Sequence, residues 1–265
     1  MPIESRQPLS HKEIQSLEFP RDLLAGRVVL VTGAGDGIGR AASLAYGRCG
    51  ARVILAGRTV PKLENTYDLI VEAQKALKID AEPTIYPIDL AGAEETDYEQ
   101  MSIIIEERLG GLDGILHNAG VLGGRRPVSG YYLNDWDACM NVNVRSAFML
   151  TKAMLPVLER CPAGKIIFTS SSVGRKGRAH WGGYAVSKFA IEGLMQVLAD
   201  EMDGAYPIYV NSIDPGATRT QMRARAYPAE NPASTAAPEE IMPLYLYLMS
   251  SLSDGVNGHA LNAQR

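Results

Sequence analysis

Residues 28–39 read V-V-L-V-T-G-A-G-D-G-I-G, from Val28 to Gly39. Val28 to Val31 is an apolar, mostly β-branched run that suits a buried strand, and Arg40 to Arg48, with its alanines and Leu44, suits a helix. Glycines therefore occupy a turn between a strand and a helix. Position 38 is Ile38, so the loop misses the register G-x-G-x-x-G, yet Gly33, Gly37 and Gly39 satisfy G-x-x-x-G-x-G. Either spacing gives a tight turn, close approach of backbone to a pyrophosphate, and a helix N-terminus facing phosphate charge. A glycine loop alone is as often only a flexible turn, but its place between strand and helix favours a dinucleotide site.

The same alternation continues downstream. Arg52 to Ala56 reads as a second strand ending in Gly57-Arg58-Thr59, with Pro61 in the first turn of a helix that runs to about Leu77. Thr84 to Ile88 is a third strand ending at Asp89, and residues 95–109 place Met101, Ile104, Ile105 and Leu109 at helical spacing. Gly114 to His117 is a fourth strand, closed by Asn118-Ala119-Gly120. Asn134 or Asp135 can cap the next helix, through Trp136, Met140, Asn143, Phe148 and Met154. Lys165 to Thr169 is a fifth strand, followed by a helix from Tyr184 to Met202 with Phe189, Leu194, Leu198 and Met202 as core positions. Ile208 to Ile213 is a sixth, ending in D-P-G-A-T-R-T at Asp214 to Thr220. Residues 221–237 are rich in alanine and proline and resemble a mobile cover more than a packed element. Glu239 to Leu248 reads as a helix and Gly258 to Ala263 as a last short strand.

Strands alternating with helices imply an α/β fold with a doubly wound parallel sheet, a Rossmann fold in one domain spanning 22–265. Residues 1–21 precede it as an N-terminal arm with a helix-like piece at Lys12 to Leu17, and the cover falls near 219–237. Ligands of such sheets bind at the strand C-terminal ends, where Gly33, Arg58, Asp89, Asn118, Ser171 and Pro215 all fall.

Composition narrows the function classes. A net charge of -4 and a pI near 5.7 argue against nucleic acid or an anionic membrane as partner. The three cysteines, Cys49, Cys139 and Cys161, are widely spaced without a C-x-x-C pair, against a disulfide framework or a zinc site. No metal site is expected, and a reducing cytoplasm fits best. Neither a signal-peptide core nor an uninterrupted apolar span of membrane length is present in the sequence.

The chemistry concentrates in Ile166 to Lys188. Tyr184 stands four residues before Lys188, which on a helix puts phenol and ammonium on one face, and Ser171 lies thirteen residues upstream at a strand end. A nearby ammonium lowers a phenol's pKa from ~10 towards neutrality and makes it a proton donor and acceptor. Ser171 can hydrogen-bond the same carbonyl or alcohol oxygen. With twelve tyrosines in the chain the spacing alone is weak, and its weight comes from the strand before it and the glycine loop upstream. Asn143 is either a hydrogen-bonded core position or a water or ligand contact, and His117 is best read as a satisfied strand histidine.

At the end of the second strand a carboxylate would accept from both adenosine ribose hydroxyls, whereas Gly57 is neutral and Arg58 can pair with a 2′-phosphate. NADP(H) is therefore preferred and NAD(H) remains possible, with Asp36 in the glycine loop counting against phosphate. Arg58 has the alternative of being a solvated arginine. Around the substrate mouth, Arg175, Lys176, Arg178, Arg219, Arg223 and Arg225 are candidates for a positive rim, with the favoured alternative that most of them face water or pair with acids elsewhere, and Trp181 suits an apolar wall.

Together these motifs resemble the short-chain dehydrogenase/reductase family over nearly the whole chain, from about Leu23 to Leu261. The stretches L-H-N-A-G, F-T-S-S-S-V-G-R and P-L-Y-L-Y-L-M look most like its bacterial YciK-type oxidoreductases. The resemblance implies cofactor contacts from Gly33, Gly37, Ile38 and Gly39 in the glycine loop, beside the phosphate contact read above for Arg58. It implies that Asp89 meets the adenine, and that Asn118, Ala119 and Gly120 support the sheet beside it. It places Pro215, Gly216, Thr218 and Thr220 along the nicotinamide side. Asn143, Ser171, Tyr184 and Lys188 fall on the family's catalytic tetrad: Tyr184 as general acid/base, Lys188 tuning it and binding ribose, Ser171 holding the reacting oxygen, Asn143 holding a relay water. The substrate would be a small carbonyl or alcohol compound, and the assembly a homodimer or homotetramer built on the helices after strands four and five. A non-catalytic NADP(H) sensor on the same fold is the alternative, and a sugar-nucleotide epimerase would need a larger substrate region. The tail, N-A-Q-R, lacks the family's closing Gly-Gly, a departure expected to affect oligomer contacts rather than chemistry.

Overall fold

The computed structural model describes residues 6–264. Seven parallel strands form one sheet in the order β3-β2-β1-β4-β5-β6-β7. They are β1 (Val28–Thr32), β2 (Arg52–Gly57), β3 (Thr84–Pro87), β4 (Gly114–His117), β5 (Gly164–Thr169), β6 (Ile208–Asp214) and β7 (Ala260–Asn262). The order reverses between β1 and β4, so a crevice opens beyond the C-terminal ends of these neighbours. This is the Rossmann architecture.

The helices are α1 (His11–Gln15), α2 (Gly37–Arg48), α3 (Val60–Leu77), α4 (Glu95–Leu109), α5 (Leu133–Cys139), α6 (Ser146–Leu158), α7 (Gly182–Met202), α8 (Gln221–Ala226) and α9 (Met242–Met249). Two apolar layers flank the sheet because successive strand side chains point to opposite faces. Val29 and Val31 face a layer with Tyr46 of α2, Ile70 of α3 and Tyr245 and Tyr247 of α9. Val28 and Leu30 face Met101 and Ile105 of α4, Met154 of α6 and Met195 of α7. Each such aliphatic side chain taken out of water contributes roughly 1.5–3 kcal/mol before chain entropy is counted.

The described part of the arm packs on the first layer. Ile14 is buried there, Arg6 N donates to Gly255 O, and Leu9 N donates to the Tyr247 hydroxyl. The first five residues of the predicted arm, Pro2 among them, lie outside the described residues. The predicted helix piece begins at His11, capped by Ser10, whose hydroxyl and Glu13 form a reciprocal capping box.

Three local readings are corrected. Asn134 and Asp135 do not cap α5, since both lie inside its first turn and Tyr132 holds the cap position. Phe189, expected in the core, is 46% exposed. Phe148, Val186 and Val197 are exposed with it on α6 and α7. A single period of apolar residues cannot tell a helix face that meets the sheet from one that faces outward. Finally, the helix running through Asn143 is broken by a π-helical turn, Met140–Arg145, between α5 and α6, an irregularity often found at functional sites.

Candidate active site

The turn after β1 needs its glycines for two different reasons. Gly33 adopts φ +68, a left-handed backbone that other residues adopt at a cost. Gly39 allows α2 to pack closely, because a Cβ there would lie 2.3 Å from Gly33 O and 2.5 Å from Asn118 Nδ2. Asp36 caps α2 by accepting from Gly37 N at 2.8 Å. Thr32 Oγ1 accepts from the amides of Asn118 (3.0 Å) and Ala119 (3.1 Å), and Asn118 Nδ2 donates to Thr32 O at 3.2 Å. Asn118-Ala119-Gly120 thereby ties the end of β4 to the end of β1 beneath the crevice.

The remaining cofactor candidates gather around the same crevice. Arg58 is exposed just beyond β2, and Asp89 closes the turn after β3 by accepting from Ala91 N. Thr220 comes from the other half of the molecule to the glycine loop: a Cβ on Gly37 would lie 3.2 Å from its Cγ2. Gly216, at φ +69, turns the chain after β6 and donates its amide to Asp214 Oδ1. The tail, expected to bear on oligomer contacts, reaches this loop as well. Gln264 Nε2 donates to Pro215 O (2.7 Å), Ala217 O (3.2 Å) and Thr218 Oγ1 (3.2 Å), pinning the loop that carries Pro215 to Thr218. The tail thus bears on the site itself.

The four catalytic candidates come together where β5 meets α7. Ser171 caps a short turn after β5, its hydroxyl accepting from Val173 N, and stands close enough to Tyr184 to act on the phenol. Tyr184 and Lys188 are both buried on α7. Lys188 Nζ donates to Thr169 O at 2.7 Å and lies 5.6 Å from the centre of the Tyr184 ring. Gly174 makes this packing possible, since a Cβ there would meet Lys188 Cβ at 2.8 Å. The Asn143 carboxamide accepts from Val121 N (2.8 Å) and donates to Val121 O (3.0 Å) and Ser187 Oγ (2.9 Å). Ser187 Oγ in turn donates to Tyr184 O at 2.8 Å. The side chain of Asn143 therefore joins the loop after β4 to the helix that carries Tyr184 and Lys188.

The electrostatics correct one expectation. Burial pushes the Tyr184 phenol up to about 12, with the neighbouring Ser171 hydroxyl opposing the rise. Burial also pulls Lys188 down to about 8, against the pull of Cys139, Glu192 and Asp214. The predicted lowering of Tyr184 by Lys188 is absent, because the ammonium is engaged with Thr169 O and desolvation penalises the charged form of each group. Behind the pair, Thr32, His117, Asn143, Ser146, Thr169 and Lys188 line a small polar cavity. His117 is held neutral there, its pKa brought to about 3 by burial, between Thr151 Oγ1 at 2.9 Å and the stacked Phe168 ring.

On the outer side, Tyr184 faces an apolar cluster of Val121, Leu122, Val173, Trp181, Met222 and Tyr227. Met222 belongs to α8 and Tyr227 follows it, so the alanine-rich stretch contains a helix packed on the site. Arg125, from the loop after β4, sits over the rings of Trp181 (4.7 Å) and Tyr227 (5.0 Å) and donates to Ala226 O. Arg223 stacks on the other side of the cluster, 3.8 Å from the Tyr227 ring centre, and is paired with Glu230. For two of the rim candidates the alternative of pairing with acids holds. Arg223 is neutralised by Glu230, and Arg175 is drawn away to Glu192, Asn262 and Leu261 O at β7. Arg125 was missed because its position depends on two aromatic residues far along the chain.

Among the described residues no group of three or more His, Cys, Asp or Glu side chains is placed to hold a metal, and no helix is long and apolar enough to cross a membrane. The family model of short chain dehydrogenases matches residues 27–231. The chain is 48% identical over 244 residues to the oxidoreductase YciK of Escherichia coli K12, covering 92% of this chain and 94% of that protein. A short chain dehydrogenase from Shigella flexneri, solved in complex with NADP, is 47% identical with a TM-score of 0.88, over 92% of this chain and 100% of that one. One from Escherichia coli CFT073, in complex with NADPH, is also 47% identical, with a TM-score of 0.87 over 92% and 99% of the two chains.

Proposed function

The chain belongs to the short-chain dehydrogenase family and is an oxidoreductase, and from that premise we propose that it reduces a small carbonyl compound, or oxidises the matching alcohol, with NADP(H). The observation that carries this reading is the buried Tyr184, close to the Ser171 hydroxyl and one helical turn from the buried Lys188, at the strand ends beside the glycine loop.

The residues present fit the cofactor. Glycine at 37 and 120 keeps clear the spaces beside Thr220 and beside Lys188 and Asn143, which a Cβ at either position would enter. The N-terminal turn of α2 would take the pyrophosphate, Arg58 the 2′-phosphate, Asp89 the adenine and Lys188 the nicotinamide ribose. Pro215, Gly216, Thr218 and Thr220, held by Gln264, would line the nicotinamide side. When bound, NADPH supplies the hydride.

The chain's own residues supply the proton. Tyr184, with a pKa near 12, is protonated at neutral pH and suits donation to a carbonyl oxygen that Ser171 orients. The polar cavity behind Lys188 suits a water that would refill Tyr184 through Lys188, with Asn143 fixing the cavity wall. Trp181, Tyr227, Met222, Val121 and Leu122 favour a substrate with an apolar or aromatic body. The exposed Phe148, Val186, Phe189 and Val197 of α6 and α7 support a homodimer or homotetramer formed across these helices, and the cysteine usage supports a cytoplasmic protein.

The test is NADPH consumption by purified protein over aldehydes, ketones, quinones and, with NADP, alcohols. Turnover of an aromatic or aliphatic carbonyl is expected. Tight NADPH binding with no turnover across the whole panel would favour the sensor instead.

A further inference from the structure

Asp36 is the only carboxylate between Gly33 and Gly39, and it counts against phosphate at this loop. The fold answers it with a cation from another element. Asp36 Oδ2 lies 2.5 Å from Lys62 Nζ, in the first turn of α3. The stem of Lys62 is set against the loop, since a Cβ on Gly35 would lie 2.8 Å from Lys62 Cβ. One turn further, Thr66 Oγ1 donates to Ala34 O at 3.1 Å, and Leu63 is buried beside Gly57. The start of α3 is therefore clamped on the glycine loop, and Arg58 leads into that same helix.

The other groups facing Asp36 are also positive or donating. Gly37 N donates to Oδ1, and Arg40 stands one turn into α2. Partial burial raises the carboxyl, but Lys62 and the Gly37 amide outweigh it and hold Asp36 below its usual range. Asp36 thus remains an anion at neutral pH, and the charge of Lys62 decides how a neighbouring phosphate experiences it.

We propose that Lys62 is a cofactor-selectivity residue that acts through Asp36: the ion pair cancels a carboxylate that would otherwise repel the adenosine 2′-phosphate and favour a free 2′-hydroxyl. The role rests on the NADP(H) reading above. Arg58 attracts the phosphate, and Lys62 removes the repulsion from the loop. Without Lys62, the loop presents the acidic character associated with NAD selectivity.

The experiment measures dissociation constants of NADPH and NADH by nicotinamide fluorescence, and of 2′,5′-ADP and 5′-AMP by calorimetry, so that binding is read without turnover. Lys62→Ala should raise the NADPH and 2′,5′-ADP constants about tenfold at low salt, leaving those of NADH and 5′-AMP unchanged or lower. The double variant Asp36→Asn/Lys62→Ala should restore NADPH to within about threefold of the parent, asparagine being an equally good helix cap. Thermal unfolding checks that both variants fold, and Lys62→Gln substitutes if alanine loosens α3. A double variant as weak as Lys62→Ala would overturn the proposal by making Lys62 a direct phosphate ligand. Equal losses for both cofactors would overturn it by making the pair structural. A parent protein that binds neither cofactor would instead remove the NADP(H) reading itself.

Discussion

The two ends of the crevice are held together by different forces. At the glycine-loop end the decisive contacts are close approaches to backbone. Gly39 approaches Gly33 O and the Asn118 side chain, Thr32 Oγ1 receives two backbone amides, and these contributors lie in β1, the turns after β1 and β4, and the first turn of α2. At the cover end the contacts are between side chains from distant segments. Arg125 lies between Trp181 and Tyr227, Arg223 lies on Tyr227, and Arg178 donates to the Tyr227 hydroxyl. The first kind tolerates almost no added volume. The second consists of partly exposed cation–π contacts worth about 0.5–1 kcal/mol each. Cofactor affinity should therefore depend on shape at one end, and substrate access on several weak contacts at the other.

The largest effect should come from the group between the two ends. Tyr184→Phe keeps the ring in the apolar cluster and loses the proton, so turnover should fall about a thousandfold with NADPH affinity nearly unchanged. Steady-state rates and fluorescence titration check both halves. Near-normal turnover would remove Tyr184 from the chemistry.

Gly39→Ala breaks the glycine-loop end directly. Its Cβ would lie 2.3 Å from Gly33 O, and relief requires backbone movement. A loss of several kcal/mol in stability is expected, seen as a fall in denaturation midpoint, together with at least a tenfold loss of NADPH affinity. A variant as stable as the parent would show that the loop is more compliant than its packing implies.

Arg58→Ala leaves the loop's shape alone and tests its charge. Loss of a charge-assisted contact of roughly 1.5–3 kcal/mol should weaken NADPH about 10- to 100-fold and NADH little. Equal losses for both would assign Arg58 to structure.

The smallest effect belongs to the cover. Arg125→Ala removes both stacking contacts, so α8 should release more readily. Tryptic cleavage at Arg223 or Arg225 should quicken about three- to tenfold, and KM for apolar carbonyls should change by a similar factor, while NADPH affinity stays as it was. A matching loss of NADPH affinity would contradict the separation of the two ends.

Legibility follows the same division. The glycine loop, Asn118 to Gly120, and the Tyr184–Lys188 spacing could be read because each is a local pattern in which strand or helix geometry alone sets the relation between residues. Periodicity likewise located the strands and most helices. It misassigned Phe189 because amphipathic spacing says which residues share a face, not what covers that face. It missed α8 because alanine, proline and arginine in a short stretch carry no clear period.

By itself the sequence determined the doubly wound sheet, the family, and the residues gathered at the strand ends, since these depend on apolar periods and on glycine's freedom over a few residues. Tertiary structure alone decided the partners that meet across long separations: Lys62 with Asp36, Arg125 with Trp181 and Tyr227, and Gln264 with Pro215. It also decided the direction of the Tyr184 and Lys188 shifts. The spacing predicts attraction between the two groups, but only the packing around them sets the desolvation that outweighs it.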